Sequence, residues 1–211
     1  MKRSLIYLLI VSVLAIAVIA LEGVRSYHGA DTNPFLPKLM VGDVARIDVE
    51  KMVSGVSLVK DGDKWTAKNV QTKLAGDIAK NEGGALAPVS EAVIDVDAKK
   101  VENALTMLPG LLVGGAVSAD PKKFDIFQVS GLLGAHVKLF NAKGDVLADF
   151  YIGKNATSFM DVYVRKEGED KIYEVKAFLG GAFSPSPDGW KVAEPPSSEE
   201  PKTPDKSTTS E

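Results

Sequence analysis

One short motif in the sequence carries residue types that could do nucleophilic chemistry. Ser57 and Lys60 have the S-x-x-K spacing of the serine–lysine pair found in penicillin-binding enzymes. That chemistry requires the serine at the start of a helix beside a cleft, together with S-x-N and K-T-G elements. Residues 57–60 instead lie in an alternating apolar and polar stretch, and the sequence has neither partner element. We therefore interpret the match as chance.

Carboxylates are numerous, and an acid–base pair assembled from distant residues leaves no local signature. The strongest candidates for an envelope hydrolase are four aspartates: Asp125, Asp145, Asp149 and Asp161. The pattern distributes them over turns and strand faces, where we expect solvated charge. Asp61-Gly62-Asp63 offers too few ligands in series for a calcium loop.

The chain has no cysteine and only two histidines, His28 and His136. The lack of cysteine excludes disulfide frameworks, thiolate metal sites, iron–sulfur clusters, cysteine nucleophiles and a lipidated cysteine. Two histidines cannot build a three-histidine zinc site. No glycine motif for binding a phosphate or a dinucleotide occurs. We therefore assign no catalytic, cofactor-binding or metal-binding residue and predict that the protein is not an enzyme.

The overall charge argues against a nucleic-acid partner. The chain has 25 basic and 28 acidic side chains, which gives a net charge of −3 and an isoelectric point near 5.5. Nucleic-acid binders use a basic field that this composition lacks. The hydrophobic content of 45% is ordinary, but the apolar residues are distributed unevenly along the chain.

An apolar stretch near the amino terminus predicts a membrane anchor. Ser4–Leu21 contains two serines and no charged side chain. As a helix it would span about 27 Å, close to the thickness of a bilayer core. The preceding Lys2 and Arg3 predict a cytoplasmic amino terminus at the inner membrane, with the rest of the chain extracytoplasmic. A cleaved signal is the alternative, but its small-x-small site, Ala15–Ala17, lies inside the apolar run, so we favour an uncleaved signal-anchor within residues 1–28.

The carboxyl-terminal end has the opposite composition. From Glu194 the chain reads EPPSSEEPKTPDKSTTSE, with four prolines and no large apolar residue. Such a segment cannot bury enough surface to offset the entropy lost on ordering. We therefore predict a disordered tail over residues 191–211.

The remaining chain has the size of one folded domain, predicted over residues 44–190 and preceded by a linker over residues 29–43 that contains two prolines. Three β-hairpins are predicted, because alternating apolar and polar runs flank short turns that contain glycine. The turns are Asp61–Asp63, Asn141–Asp145 and Glu167–Asp170. We interpret Trp65 as a core residue of the first hairpin.

One main helix is predicted after Asp97, which is the expected N-cap. Four apolar residues follow at helical spacing, namely Val101, Ala104, Leu105 and Leu108. Shorter helices are expected near Lys73–Lys80 and after Asp120, and residues 69–91 otherwise have the composition of a loop. The predicted class is α+β: antiparallel β-hairpins packed on one main helix, with a single transmembrane helix before them and the disordered tail after them.

Several segments occur in the order typical of a bacterial family called domain of unknown function 4340. They are residues 56–65 (VSLVKDGDKW), the helix at 97–108, 117–124 (VSADPKKF), 144–154 (GDVLADFYIGK), 163–165 (YVR) and 172–175 (IYEV). The chain resembles this family from about Val44 to Val175. The resemblance implies an amino-terminal anchor and an extracytoplasmic α+β domain, encoded near ABC-type transporter subunits and gliding-type auxiliary proteins. It implies no catalytic residue.

Three functional hypotheses follow. The leading one is a non-enzymatic, membrane-anchored accessory or scaffold subunit of an envelope complex, with a protein partner in an ABC-type transporter or a gliding-type system. The second is an extracytoplasmic binding module for a small ligand or an envelope polymer, using the loop at residues 69–91. The third is the envelope hydrolase based on clustered aspartates.

Overall fold

The computed structural model describes residues 32–81, 92–158 and 160–192. The predicted anchor, Ser4–Leu21, lies outside these residues, as do positions 82–91 of the predicted loop and the tail from position 193 onward. Within the described part of the chain, no helix is both long and apolar enough to cross a membrane.

The described residues form ten strands and four α-helices. In chain order they are β1 (Asn33–Pro34), β2 (Arg46–Lys51), β3 (Ser54–Asp61), β4 (Lys64–Asn69), α1 (Lys73–Asn81), β5 (Ile94–Asp95), α2 (Ala98–Met107), β6 (Leu112–Val113), α3 (Phe124–Phe127), β7 (Ala135–Phe140), β8 (Val146–Asn155), β9 (Asp161–Lys166), β10 (Tyr173–Lys176) and α4 (Leu179–Ala182). Short 3₁₀ helices cover Val41–Asp43, Pro121–Lys123 and Pro187–Trp190. The α+β class is confirmed: besides the predicted main helix α2, α1 and α3 lie where shorter helices were expected, and α4 was not predicted.

Eight of these strands form a single antiparallel sheet in the order β5-β4-β3-β2-β7-β8-β9-β10. The sheet consists of two meanders, β2 to β5 and β7 to β10, which are joined edge to edge because β2 pairs with β7. Strands β1 and β6 form a separate two-stranded ribbon.

All three predicted hairpins are confirmed, as β3–β4, β7–β8 and β9–β10. Each of their turns contains a glycine with positive φ: Gly62 at 60°, Gly144 at 88° and Gly168 at 77°. A side chain at these positions would strain the backbone, which is why the glycines mark the turns in the sequence.

The main hydrophobic core lies on one face of the sheet, where every second residue of the strands is buried. Helix α2 covers this face with its predicted apolar stripe, and all four stripe residues are buried, as is Trp65. The Oδ1 atom of Asp97 accepts a hydrogen bond from the backbone N–H of Lys99 at 3.0 Å, so the predicted N-cap is confirmed.

Part of the segment predicted as a linker belongs to the fold. Phe35 is fully buried, and its ring meets that of Phe150 edge to face at a centroid distance of 5.8 Å. Its N–H donates to the carbonyl of Leu111 at 2.8 Å. The two prolines near Phe35 indicated an extended linker. The ring is nevertheless buried, because it packs beside Leu111 and Phe150, which are more than seventy positions away in the sequence.

The carboxyl-terminal segment closes the core beside α2. Trp190 is 1% exposed, packs against Phe183, and donates from Nε1 to the carbonyl of Ser184 at 2.9 Å. From the helical pattern, Lys100 is expected on the solvated side of α2. In the structure its Nζ donates to the carbonyl of Lys191 at 2.6 Å. The lysine therefore holds the end of the described chain against the start of α2.

Replacing Trp190 with alanine is expected to destabilise the domain by about 3–5 kcal/mol, because it empties a buried aromatic site and removes a hydrogen bond. The adjacent Val192 is 64% exposed, so Val192→Ala should change the free energy of unfolding by less than about 0.5 kcal/mol. Denaturant unfolding followed by far-ultraviolet circular dichroism measures both. Equal stability of the two variants would contradict a core role for Trp190.

Candidate functional site

The second face of the sheet carries polar side chains in two rows that cross the junction of the meanders. Strand register aligns Ser57, Asp48, Lys138 and Asp149 on β3, β2, β7 and β8. One step along the same face, register aligns Glu50, His136, Tyr151 and Arg165 on β2, β7, β8 and β9. These polar residues occupy the outward positions of the alternation that buries the core.

The first row contains the serine of the S-x-x-K match. The hydroxyl of Ser57 is buried and donates to Oδ1 of Asp48 at 2.7 Å. Lys60, three residues along the same strand, lies on the opposite face and is exposed. The serine and the lysine therefore cannot act as a pair.

His136 and Asp149 form a closely spaced pair on the polar face. The Nε2 atom of His136 lies 2.6 Å from Oδ1 of Asp149, and Nζ of Lys138 lies 3.7 Å from the other carboxylate oxygen. The histidine and aspartate side chains are only 17% and 25% exposed. The expectation that Asp149 is a solvated charge is therefore wrong, because the sheet brings a histidine and a lysine from the neighbouring strand against it.

The other three candidate aspartates do not join this pair. Asp125 is exposed on α3, and Asp145 is exposed in the β7–β8 turn, where it accepts from the side chain of Asn141 at 2.9 Å. Asp161 is half-buried at the first position of β9. The four carboxylates thus occupy four separate structural settings, and the hydrolase hypothesis loses the cluster that it needed.

Aromatic and cationic groups stack across the second row. The imidazole of His136 lies parallel to the ring of Tyr151, with centroids 4.2 Å apart and an interplanar angle of 15°. The guanidinium of Arg165 lies 4.4 Å from the centroid of Tyr151 and 4.2 Å from that of Phe124. Such cation–π contacts gain strength where water is excluded.

Arg165 is the most deeply buried cation of the described chain, with 6% of its surface exposed. Its Nε donates to the carbonyl of Val129 at 2.9 Å, and its Nη1 donates to the carbonyl of Glu169 at 3.1 Å. Nη2 lies 3.4 Å from the Glu167 carboxylate. These partners compensate the cost of removing the guanidinium from water. The arginine thereby ties the loop before β7 to the β9–β10 turn.

A second, smaller core surrounds this arginine. Val129, Tyr151 and Ile172 form its buried centre, with Phe124, Phe127 and Tyr163 packed against them. Four of the segments that carry the family resemblance contribute to it: PKKF, YIGK, YVR and IYEV. Gly153 of YIGK has no room for a side chain, since a Cβ atom would lie 2.7 Å from Cγ1 of Val129 and closer still to the carbonyl of Phe127.

A groove of about 610 Å³ lies on the polar face, between α1 and the loop before β7. Its floor is formed by Glu50, His136, Lys138 and Tyr151, and its walls by Lys73, Leu74, Asp77, Gly131 and Leu132. Helix α1 is fixed beside it because Oγ1 of Thr72 donates to the carbonyl of Met52 at 2.7 Å and accepts the N–H of Ala75 at 3.2 Å. The helix predicted near 73–80 is confirmed, and it forms one wall of the groove.

Burial and the carboxylate of Glu167 raise the pKa of Tyr151 from 10.0 to about 12, with burial as the larger cause. The phenol is therefore neutral well into the alkaline range, and its hydroxyl is hydrogen-bonded to the Glu167 carboxylate.

The groove presents charged and hydrogen-bonding side chains that could contact a ligand. A histidine oriented by an aspartate can activate a hydroxyl nucleophile, but the hydroxyl of Ser57 is bonded to Asp48 instead. Among the described residues, no group of three or more His, Asp or Glu side chains is arranged to hold a metal ion. Sequence reasoning missed Glu50, Tyr151 and Arg165 as site residues; their outward positions in alternating strands were the signal that could have identified them.

A family model described as "Domain of unknown function (DUF4340)" matches residues 89–196, about half of the chain. The match begins later and ends later than the resemblance predicted over Val44–Val175, so β2 to β4 lie before it and the carboxyl-terminal segment lies within it. No curated protein and no solved structure matches the chain.

The titration of Tyr151 is a direct test of the stacked arrangement. We expect the difference in phenolate absorbance between the wild type and Tyr151→Phe to develop near pH 12 rather than near pH 10. The pKa of Tyr151 is higher in the folded state than in the unfolded state, so the neutral phenol contributes to the free energy of unfolding. This contribution is complete below pH 10 and is lost as the pH rises through about 12. The wild type should therefore lose stability more steeply than Tyr151→Phe in that interval. A difference spectrum centred at pH 10 would contradict the buried stack.

Gly153→Ala should destabilise the protein by about 1–3 kcal/mol, because the added methyl group meets the backbone of α3 and cannot be accommodated without moving it. Gly115→Ala is the control, since nothing lies within 4 Å of a Cβ atom at Gly115. Denaturant unfolding compares the two variants. If they are equally stable, the close approach at Gly153 is not a constraint.

Proposed function

The chain belongs to the DUF4340 family, and from this premise we propose that it is a non-enzymatic, membrane-anchored accessory or scaffold subunit of a bacterial envelope complex. In this proposal Ser4–Leu21 is a signal-anchor in the inner membrane, and the folded domain is extracytoplasmic. The partner is a membrane protein of the same complex, of the ABC-type transporter or gliding-type class that the family resemblance implied.

The observation that carries the proposal is the open polar face of the sheet. The opposite face is covered by α2 and the carboxyl-terminal segment, whereas the groove leaves charges of both signs accessible beside Leu132, which is 48% exposed. Mixed charges at the edge of an apolar side chain are typical of the polar rim and small apolar centre of protein–protein contacts.

A non-enzymatic role is supported by how the reactive side chains are used. The imidazole of His136 is bonded to Asp149 and stacked on Tyr151, and the hydroxyl of Ser57 is bonded to Asp48. Each group therefore has a structural partner within the sheet.

The groove also favours a second candidate function, an extracytoplasmic binding module for a small ligand or an envelope polymer. Its volume of about 610 Å³ falls within the range of about 300–1,000 Å³ that is usual for ligand sites. Four of its nine lining residues are charged, and a histidine and a tyrosine add polar groups, so a polar ligand fits better than an apolar one.

Purification of the full chain in mild detergent tests the accessory function. We expect a stoichiometric membrane protein to accompany it. Exchanging the charges of the groove wall, Lys73→Glu with Asp77→Lys, preserves the net charge and should reduce the recovered partner at least about tenfold, equivalent to about 1.4 kcal/mol.

The matched control is the same exchange on the exposed side of α2, Lys99→Glu with Glu102→Lys, which should leave recovery unchanged. A protein that is consistently recovered alone would overturn the accessory function. Undiminished recovery with the groove exchange would instead show that another surface binds the partner.

A further inference from the structure

We propose that the groove binds a short zwitterionic peptide, a ligand of about two residues with a free ammonium group and a free carboxylate. This inference deepens the second candidate function, the binding module, and rests on it. The ammonium group would lie against Glu50 and Asp77, and the carboxylate against Lys73 and Lys138.

The first reason for a zwitterionic ligand is that the groove contains charged side chains of both signs with few partners. The ion pairs and side-chain hydrogen bonds among the described residues involve none of Glu50, Lys73 and Asp77. Lys138 is 40% exposed and makes only the loose 3.7 Å contact with Asp149. The groove therefore presents two carboxylates and two ammonium groups with capacity to bind a ligand.

The spacing of these charges is the second reason. Lys73 and Asp77 are four residues apart on one face of α1, which corresponds to a rise of about 6 Å. On the floor, Glu50 is directly opposite His136, and Lys138 is two residues farther along that strand. Such diagonal neighbours are about 7–8 Å apart. The backbone of an extended dipeptide spans about 7 Å, so the distance between its termini is comparable to the backbone separation within each pair.

The remaining lining suits the middle of such a ligand. Leu74 and Leu132 provide apolar surface for a side chain, and the phenol oxygen of Tyr151, whose hydrogen is donated to Glu167, can accept a hydrogen bond from a peptide N–H. A polyanion fits less well, because Glu50 and Asp77 would repel it. A purely apolar ligand would leave four charges desolvated without partners.

Calorimetric titration of the full chain in detergent with L-alanyl-L-leucine tests the inference. We expect saturable binding, and we expect N-acetylation or C-amidation of the same dipeptide to weaken it at least about tenfold, the effect of removing one charged contact. Glu50→Gln and Lys73→Met should weaken binding of the uncapped dipeptide to a similar extent. Neither side chain forms an ion pair or a side-chain hydrogen bond with another residue that the structure describes, so both variants should remain folded.

Glu102→Gln and Lys143→Met, which change exposed charges outside the groove, are the matched controls and should bind as the wild type does. Sedimentation with isolated peptidoglycan separates the two sources of the ligand. Binding to the dipeptide alone indicates a solute, and binding to both indicates the peptides of the polymer. Equal affinity for capped and uncapped dipeptide, or no binding to either source, would overturn the inference. Recovery of a membrane partner would be unaffected by that result, so failure of the accessory function remains distinguishable.

Discussion

The architecture depends on one antiparallel contact, the pairing of β2 with β7. Each meander alone would expose an edge of unpaired backbone groups and would provide only four of the eight strands of the sheet. Joined through five aligned residue pairs from Arg46↔Phe140 to Glu50↔His136, they form one sheet. Because side chains alternate across a strand, the same register that buries Ile47 and Val49 sends Asp48 and Glu50 to the other face. The core and the groove are therefore two consequences of one pairing.

The buried guanidinium of Arg165 organises what lies on that other face. An arginine out of water is tolerated only with several acceptors, and the acceptors here come from the loop before β7 and from the β9–β10 turn. Once these are fixed, Phe124 and Tyr151 contact the guanidinium, and His136 stacks on the ring of Tyr151. The sequence segments PKKF, YIGK and YVR, which carry the family resemblance, are in this sense packing elements. They position one side of the groove without lining most of it.

Local signals in the sequence predicted most elements of the fold. Glycine-containing turns fixed the three hairpins, and Asp97 with the stripe from Val101 to Leu108 fixed α2, because caps, turns and periodicity act within a few residues. The linker prediction failed at Phe35 because its burial depends on Phe150 and Leu111, which are distant in sequence. For the same reason the sequence could not show that Lys100 holds the chain near Trp190.

What the sequence by itself determined was composition and local geometry: an apolar stretch long enough for an anchor, alternating strands, one capped helix, and a lack of cysteine that excludes whole classes of chemistry. What only the tertiary structure decided was which polar residues meet. His136 and Asp149 are thirteen positions apart, and Glu50 is far from both in the sequence. Nothing in the residues next to each of them indicates that the three side chains share a face. Strand register across the β2–β7 junction brings them to one face, and register is set by long-range packing of the core rather than by any neighbouring residue.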